Sequence, residues 1–181
     1  MRRAYRGRQV LAGGALLPDH AVVVRDGDIE SVVPSASAAL AGVETEDWGD
    51  TLILPGTVDV HTHSFQSLVR GFSDDLPFFR WRDDGIYRIS PHLGPEEIYA
   101  GALLTFGEML RYGVTTVADF FYVHAGGIEN DGAVIRAAKD LGIRLVLART
   151  MYDWTGAPAV YRETVDEAVR RCETLIARHA G

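Results

Sequence analysis

Leu54-Pro55-Gly56-Thr57-Val58-Asp59-Val60-His61-Thr62-His63 reads as a turn followed by a short strand that ends in two histidines. Pro55-Gly56 is a turn pair. Thr57–Val60, rich in β-branched residues, is the signature of a short buried strand. Side chains two positions apart on a strand point to the same side, so His61 and His63 can converge on one ion. Neutral imidazole is a common ligand for zinc and iron, and two such ligands leave room for further side chains and a water. A His-x-His pair also occurs on ordinary surfaces, so its weight comes from what flanks it.

Toward the N-terminus the flanking sequence is β-rich. Ala21–Arg25 and Ile29–Val33 enclose Asp26-Gly27-Asp28, and an Asp-Gly pair between β-rich runs signals a hairpin. The Ser- and Ala-rich stretch 34–42 reads as a surface loop, and Thr51–Leu54 as a further strand. Residues 1–54 are therefore expected to form a small β-sandwich-like domain, with a second domain over 55–181. Arg2 and Arg3 before the short apolar run 10–17 superficially resemble a signal peptide, but the run is Gly-interrupted and leads directly into strand-like sequence.

Toward the C-terminus, strands alternate with helices. A long polar and aromatic connection, 64–94, leads to Pro95, which opens a helix at its first position with Glu96 and Glu97 at the positive end of its dipole. Ile98, Ala102, Phe106, Met109 and Leu110 form its apolar stripe, and Gly113 stops it. Val114–Ala118 is the next strand, with Asp119 at its end facing the presumed site. A helix over 130–141, a strand over 143–148 and a helix over 159–180 follow, the last expected to bury Val165, Ala168, Val169, Cys172 and Ile176. Three β-then-α units imply a parallel sheet with helices outside it. The 125 residues after Gly56 are about half of the ~250 that an eight-stranded (β/α) barrel uses. The expected fold is thus α/β: a partial TIM-type (β/α) barrel, about its first three βα units, preceded by the β domain and forming the front portion of a longer protein. A three-layer open sheet is the alternative. Catalytic residues of such barrels lie at the C-terminal ends of strands, where His61 and His63 stand.

Composition narrows the partners. With 47% apolar and 24% charged residues, the chain is that of an ordinary soluble globular protein. A net charge of −7, spread along the chain, argues against nucleic acid, and no stretch is long enough to cross a bilayer. Cys172 has no cysteine to pair with, so a reducing, cytoplasmic location is expected. Homo-oligomer formation is left open. His20, His92 and His179 carry no partner pattern.

The run from Leu54 to His63 resembles the start of the barrel in the amidohydrolase superfamily, where a small β-sandwich precedes a Pro-Gly turn and a first strand ending His-x-His. The resemblance extends over essentially the whole chain. Within that family it is closest to the deaminase branch, in particular formimidoylglutamate deiminases, which carry a His-x-His-x-Phe-Gln run like His61-Thr62-His63-Ser64-Phe65-Gln66. They also carry an aromatic-Arg segment like Phe79-Arg80-Trp81-Arg82 and an aromatic-Tyr-x-His run like Phe121-Tyr122-Val123-His124. The loop Gly71–Pro77 is more similar to chlorohydrolase and aminohydrolase relatives acting on nitrogen heterocycles.

The resemblance implies a divalent metal held by His61 and His63, zinc or alternatively iron. It also implies a substrate pocket lined by Gln66, Arg82 and Tyr122, with Arg82 able to fork onto a carboxylate. The implied activity is hydrolysis of a non-peptide carbon–nitrogen bond, with ammonia leaving an amidine, formimidoyl or aminated heterocyclic substrate. The proton shuttle and remaining ligands are expected beyond Gly181, leaving this chain inactive by itself. Two alternatives stand: a dechlorinating or cyclic-amide hydrolase of the same family, and a shortened, non-enzymatic interaction protein. Each site residue also has an ordinary structural role to set against this. Gln66 could cap its loop, Arg82 could be a surface ion-pair partner, Tyr122 a packed aromatic, and His124 a structural ring.

Overall fold

After β1 (Arg2–Arg6), Gly13-Gly14 turns β2 (Gln9–Ala12) into β3 (Ala15–Pro18), and Asp26-Gly27 turns β4 (His20–Arg25) into β5 (Asp28–Pro34). Asp26 and Gly27 have φ of 53° and 97°, the backbone that a two-residue hairpin with the native strand twist requires. The computed structural model describes residues 1–125 and 127–179. Its chain is mixed α/β and divides into two compact units, Met1–Pro55 and Gly56–Gly181.

The first unit adds β6 (Glu44–Asp47) and β7 (Leu52–Ile53). Its strands form two sheets, in the orders β5-β4-β1-β6 and β3-β2-β7. The small apolar residues Ala4, Val10, Ala21 and Val23 are buried in it.

In the second unit, β8 (Thr57–Thr62), β9 (Val114–Phe121) and β10 (Arg144–Arg149) form a parallel sheet with β9 in the middle. A Cβ on Gly56 would lie 2.3 Å from Thr115 side-chain atoms, so the close approach of the turn before β8 to β9 requires glycine there. Helix α1 (Pro95–Arg111) starts with the Gly94 N–H donating to the Glu97 carboxylate at 3.0 Å. Helix α2 (Glu129–Leu141) ends at Gly142, φ 74°, where the N–H groups of Gly142 and Ile143 both donate to the Ala138 carbonyl. Helix α3 (Val165–His179) begins with a reciprocal cap, Thr164 N–H to the Glu167 carboxylate and Glu167 N–H to the Thr164 hydroxyl.

Burial alternates along β9. Val117, Asp119 and Phe121 are fully buried, and Val117 and Phe121 pack with Ile98, Ala102 and Phe106 of α1 and with Ala133, Val134 and Ala137 of α2. The opposite face carries Ala118 and Phe120. Among the described residues no helix is long and apolar enough to cross a membrane.

Four expectations need correction. The 64–94 connection is largely helical: a turn over Ser64–Val69 and a continuous run of short turns over 78–92. Strand β8 is not buried, because it lies at a sheet edge, and Val58 and Val60 are 61% and 78% exposed. Asp119 sits inside β9 and points to its helix-facing side rather than toward the site. In α3 the buried face is carried by Ala168 and Leu175, whereas Val165, Val169 and Ile176 are at least half exposed. A helix with apolar residues on more than one side leaves its packed face to be chosen by what it lies against.

Candidate metal-binding site

His61 and His63 project from the end of β8 with ring centroids 4.8 Å apart and planes at 82°. The local chain explains this placement: both lie on the face shared with Phe120, whose ring is 5.4 Å from each. His63 Nδ1 is 2.7 Å from the Phe120 carbonyl. A carbonyl only accepts, so Nδ1 carries the proton and the lone pair of the neutral ring is on Nε2. Burial holds the His63 pKa below the ordinary imidazole range; nearby His61 acts in the same direction, and the hydrogen bond to Phe120 opposes it. His63 is therefore neutral at physiological pH, the form a metal takes. His61 is exposed, and its N–H donates to Asp59 Oδ1 at 2.9 Å.

Tyr122 and Gln66 stand beside this pair and bond to each other, Gln66 Nε2 donating to the Tyr122 hydroxyl at 3.0 Å. Tyr122 is 6% exposed, and burial pushes its hydroxyl pKa well above the usual phenol range. Its ring lies 5.3 Å from His63 and 5.3 Å from Tyr161, and Tyr161 is 5.7 Å from Tyr87. This chain of rings leads to Arg82, whose guanidinium carbon is 5.0 Å from the Tyr87 ring, 5.1 Å from Phe79 and 5.3 Å from Trp154. Arg82 Nε donates to Asp83 at 2.7 Å. The structure thus gathers His61, His63, Gln66 and Tyr122, and places Arg82 at the far end of an aromatic wall.

Beneath the pair, the fully buried Asp119 accepts the Ser64 N–H at 3.0 Å on one oxygen and the Ser64 hydroxyl on the other. Burial outweighs these bonds and pushes the carboxyl pKa up to about 6 from 3.8. The folded chain then holds a proton that the unfolded chain has already released. Asp119's contribution to stability is complete below about pH 4 and is lost as pH rises through 6. Asp119→Asn should flatten the pH dependence of the urea midpoint in that window, by up to about 3 kcal/mol relative to the unaltered protein. A variant with an unaltered profile between pH 4 and 6 would contradict this.

Sequence reasoning missed a buried charge network. His124, 1% exposed, lies away from the ring wall: its Nδ1 is 3.1 Å from Asp131, and Nε2 is 2.9 Å from the Thr150 carbonyl. Asp131 is 3.0 Å from Arg149 Nε, and Arg149 makes two parallel bonds of 2.6 and 2.7 Å to Glu163, which Arg171 also meets. No sequence pattern links these residues; only the His124 position within the aromatic-Tyr-x-His run drew notice.

The donor set fits a divalent metal. Two same-face imidazoles converge, and the outer nitrogen of one is tied to a backbone carbonyl, an arrangement usual for metal-binding histidines. Among the described residues no group of three or more His, Cys, Asp or Glu side chains could hold an ion, so the pair supplies two ligands only.

The chain is similar to known proteins. Residues 52–180 match the Amidohydrolase family. The 5-methylthioadenosine/S-adenosylhomocysteine deaminase of Syntrophobacter fumaroxidans is 31% identical over 160 residues, covering 87% of this chain and 34% of that protein. The zinc complex of atrazine chlorohydrolase from Arthrobacter aurescens superposes with a TM-score of 0.85 at 25% identity, over 97% of this chain and 43% of that one. A zinc-bound adenosine deaminase from Xanthomonas campestris does so with a TM-score of 0.74 at 27% identity, over 97% and 39%. The chain therefore spans between a third and somewhat over two fifths of the length of these relatives.

Proposed function

Because the chain belongs to the amidohydrolase family, we propose that it carries the first metal-binding strand of a deaminase releasing ammonia from an amidine, formimidoyl or aminated heterocyclic substrate. In this reading β8, β9 and β10 are the first three strands of a (β/α) barrel, and Met1–Pro55 contributes to a β-sandwich that precedes it in the chain. The observation that carries the proposal is the imidazole pair, 4.8 Å between centroids, with His63 Nδ1 held by the Phe120 carbonyl.

His61 and His63 would hold a divalent metal, zinc by analogy with the zinc-bound relatives. When bound there, such an ion supplies Lewis acidity that makes water a nucleophile near neutral pH. The chain's own residues do the rest of the local work. Phe120 fixes the His63 tautomer, and the buried Tyr122 and Tyr161 rings, with Tyr87, form a packed aromatic wall behind it. Gln66 orients the Tyr122 hydroxyl. The terminal nitrogens of Arg82 make no hydrogen bond among the described residues, so they are free to take a substrate carboxylate.

The similarity to a chlorohydrolase supports a second reading, in which chloride rather than ammonia leaves. Metal analysis of the zinc-loaded protein, with ammonia and chloride release measured on adenosine derivatives, guanine, formimidoylglutamate and atrazine, separates the two. Ammonia from any nitrogen substrate supports the deaminase, and chloride alone supports the second reading. Absence of both from a protein of the relatives' full length, with no stoichiometric zinc, would sink the hydrolase assignment.

A further inference from the structure

The sheet does not hold His63 in place. Strand β8 ends at Thr62, its pairing with β9 is irregular between Asp59 and Thr62, and the last paired residues are Thr62 and Asp119. His63 follows outside the ladder, at φ −129° and ψ 85°. What fixes it are bonds from two consecutive residues to two consecutive residues of β9: the His63 ring to the Phe120 carbonyl, and Ser64 to Asp119. A ring tethered by one nitrogen can still pivot as its own backbone shifts. Ser64 removes that freedom, because its N–H and hydroxyl are both taken by the fully buried Asp119 carboxylate. From the other side, the Ser64 carbonyl accepts the hydroxyls of Ser67 and Thr105, each at 2.9 Å.

We propose that Asp119 is a positioning residue for the metal-binding pair: through Ser64 it fixes the backbone of His63, so that the ring held by Phe120 presents Nε2 at a single place. The inference rests on the reading that His61 and His63 bind metal. Asp119 itself lies on the helix-facing side of β9 and touches no substrate. Its effect runs through the geometry of a ligand, where losing an outer partner typically costs ten- to a hundredfold in affinity.

The test uses the full chain and zinc alone, titrated in competition with a chromophoric chelator, together with the visible absorption of the cobalt-loaded protein. Asp119→Ala should weaken zinc at least about tenfold and alter the cobalt bands. Asp119→Asn, whose amide oxygen can still accept the Ser64 N–H, should restore affinity to within about threefold of the unaltered protein. Ser64→Ala, which removes only the hydroxyl, should fall between them and decides the matter if Asp119→Ala does not fold. Val134→Ala, a buried core change on α2 that touches none of these bonds, provides a destabilised control. Zinc affinity unchanged in Asp119→Ala, or in Ser64→Ala where the former is unfolded, overturns the proposal. So does an equal loss in Val134→Ala, which would make the effect one of general stability. His63→Ala separates the levels: if it abolishes zinc binding while the Asp119 and Ser64 variants bind normally, only the positioning role fails. If zinc binding survives His63→Ala, the metal reading fails and takes this inference with it.

Discussion

In the proposed deaminase, where His61 and His63 supply two of the metal ligands, His63→Ala is expected to cost at least about a thousandfold in kcat/KM, roughly 4 kcal/mol of transition-state stabilisation. The same change should cost the fold little. The ring is half buried, and its removal frees one acceptor, the Phe120 carbonyl on the middle strand just past its last pairing with β8, a loss of about 1 kcal/mol. The two effects therefore separate in one variant: zinc content falls below stoichiometric while the thermal midpoint moves by only a few degrees. His61→Ala should behave alike in zinc content with even less effect on stability, because that side chain is exposed. Zinc analysis with steady-state kinetics checks the claim, and a His63→Ala protein retaining full zinc and a tenth of its activity would remove the physical basis for it.

The second large effect is on stability. Glu163→Ala strips Arg149, whose side chain is 4% exposed, of both of its parallel bonds and leaves the Asp131 contact as its main partner. Removing one member of a buried ion network typically costs about 3–5 kcal/mol, because an uncompensated charge stays behind in a poorly solvated place. For a domain of this size the expected fall in the thermal midpoint is about 10 °C. Glu163 also donates its N–H to the Tyr152 carbonyl at 3.0 Å, and Tyr152 packs 5.4 Å from Tyr122. The alanine variant keeps that backbone bond, so the ring wall is expected to stay in place while stability falls. Calorimetry of Glu163→Ala beside Glu163→Gln, which keeps one acceptor, tests the assignment. A fall of under 2 °C for the alanine variant would mean that the network contributes nothing beyond an exposed pair.

How much of this was legible in the sequence follows from which interactions are local. The Asp26-Gly27 hairpin, the Pro95 start of α1 and the Gly142 stop of α2 are set by the conformational preferences of single residues, and the structure contains each of them. The His61 and His63 pair was readable from its spacing at a strand end, although His63 lies past the last paired residue and is held by the Phe120 carbonyl. Asp119 misled because its residue type suits a strand end, whereas β9 runs three residues past Ala118, to Phe121. Alternation then sends its carboxylate to the helix side. The 64–94 stretch was opaque for a different reason: its helical turns are too short for a periodic stripe. The Arg149 and Glu163 pairing lay wholly outside sequence reasoning, since fourteen residues and a loop separate the partners and neither carries a local signal. The face of α3 was undecidable without its neighbours, as Val165, Val169 and Ile176 are as apolar as the residues that pack.

Strand β9 places unequal limits on how descendants of this gene can change. A single residue gained or lost within Val114–Phe121 would carry Asp119 onto the Phe120 side and Phe120 onto the helix side. Ser64 would lose its carboxylate and the two imidazoles their contact with the Phe120 ring in one event. Lineages should therefore vary this strand by substitution alone and confine changes of length to the loop around Gly71–Pro77, where substrate preference could drift while the ligands hold still.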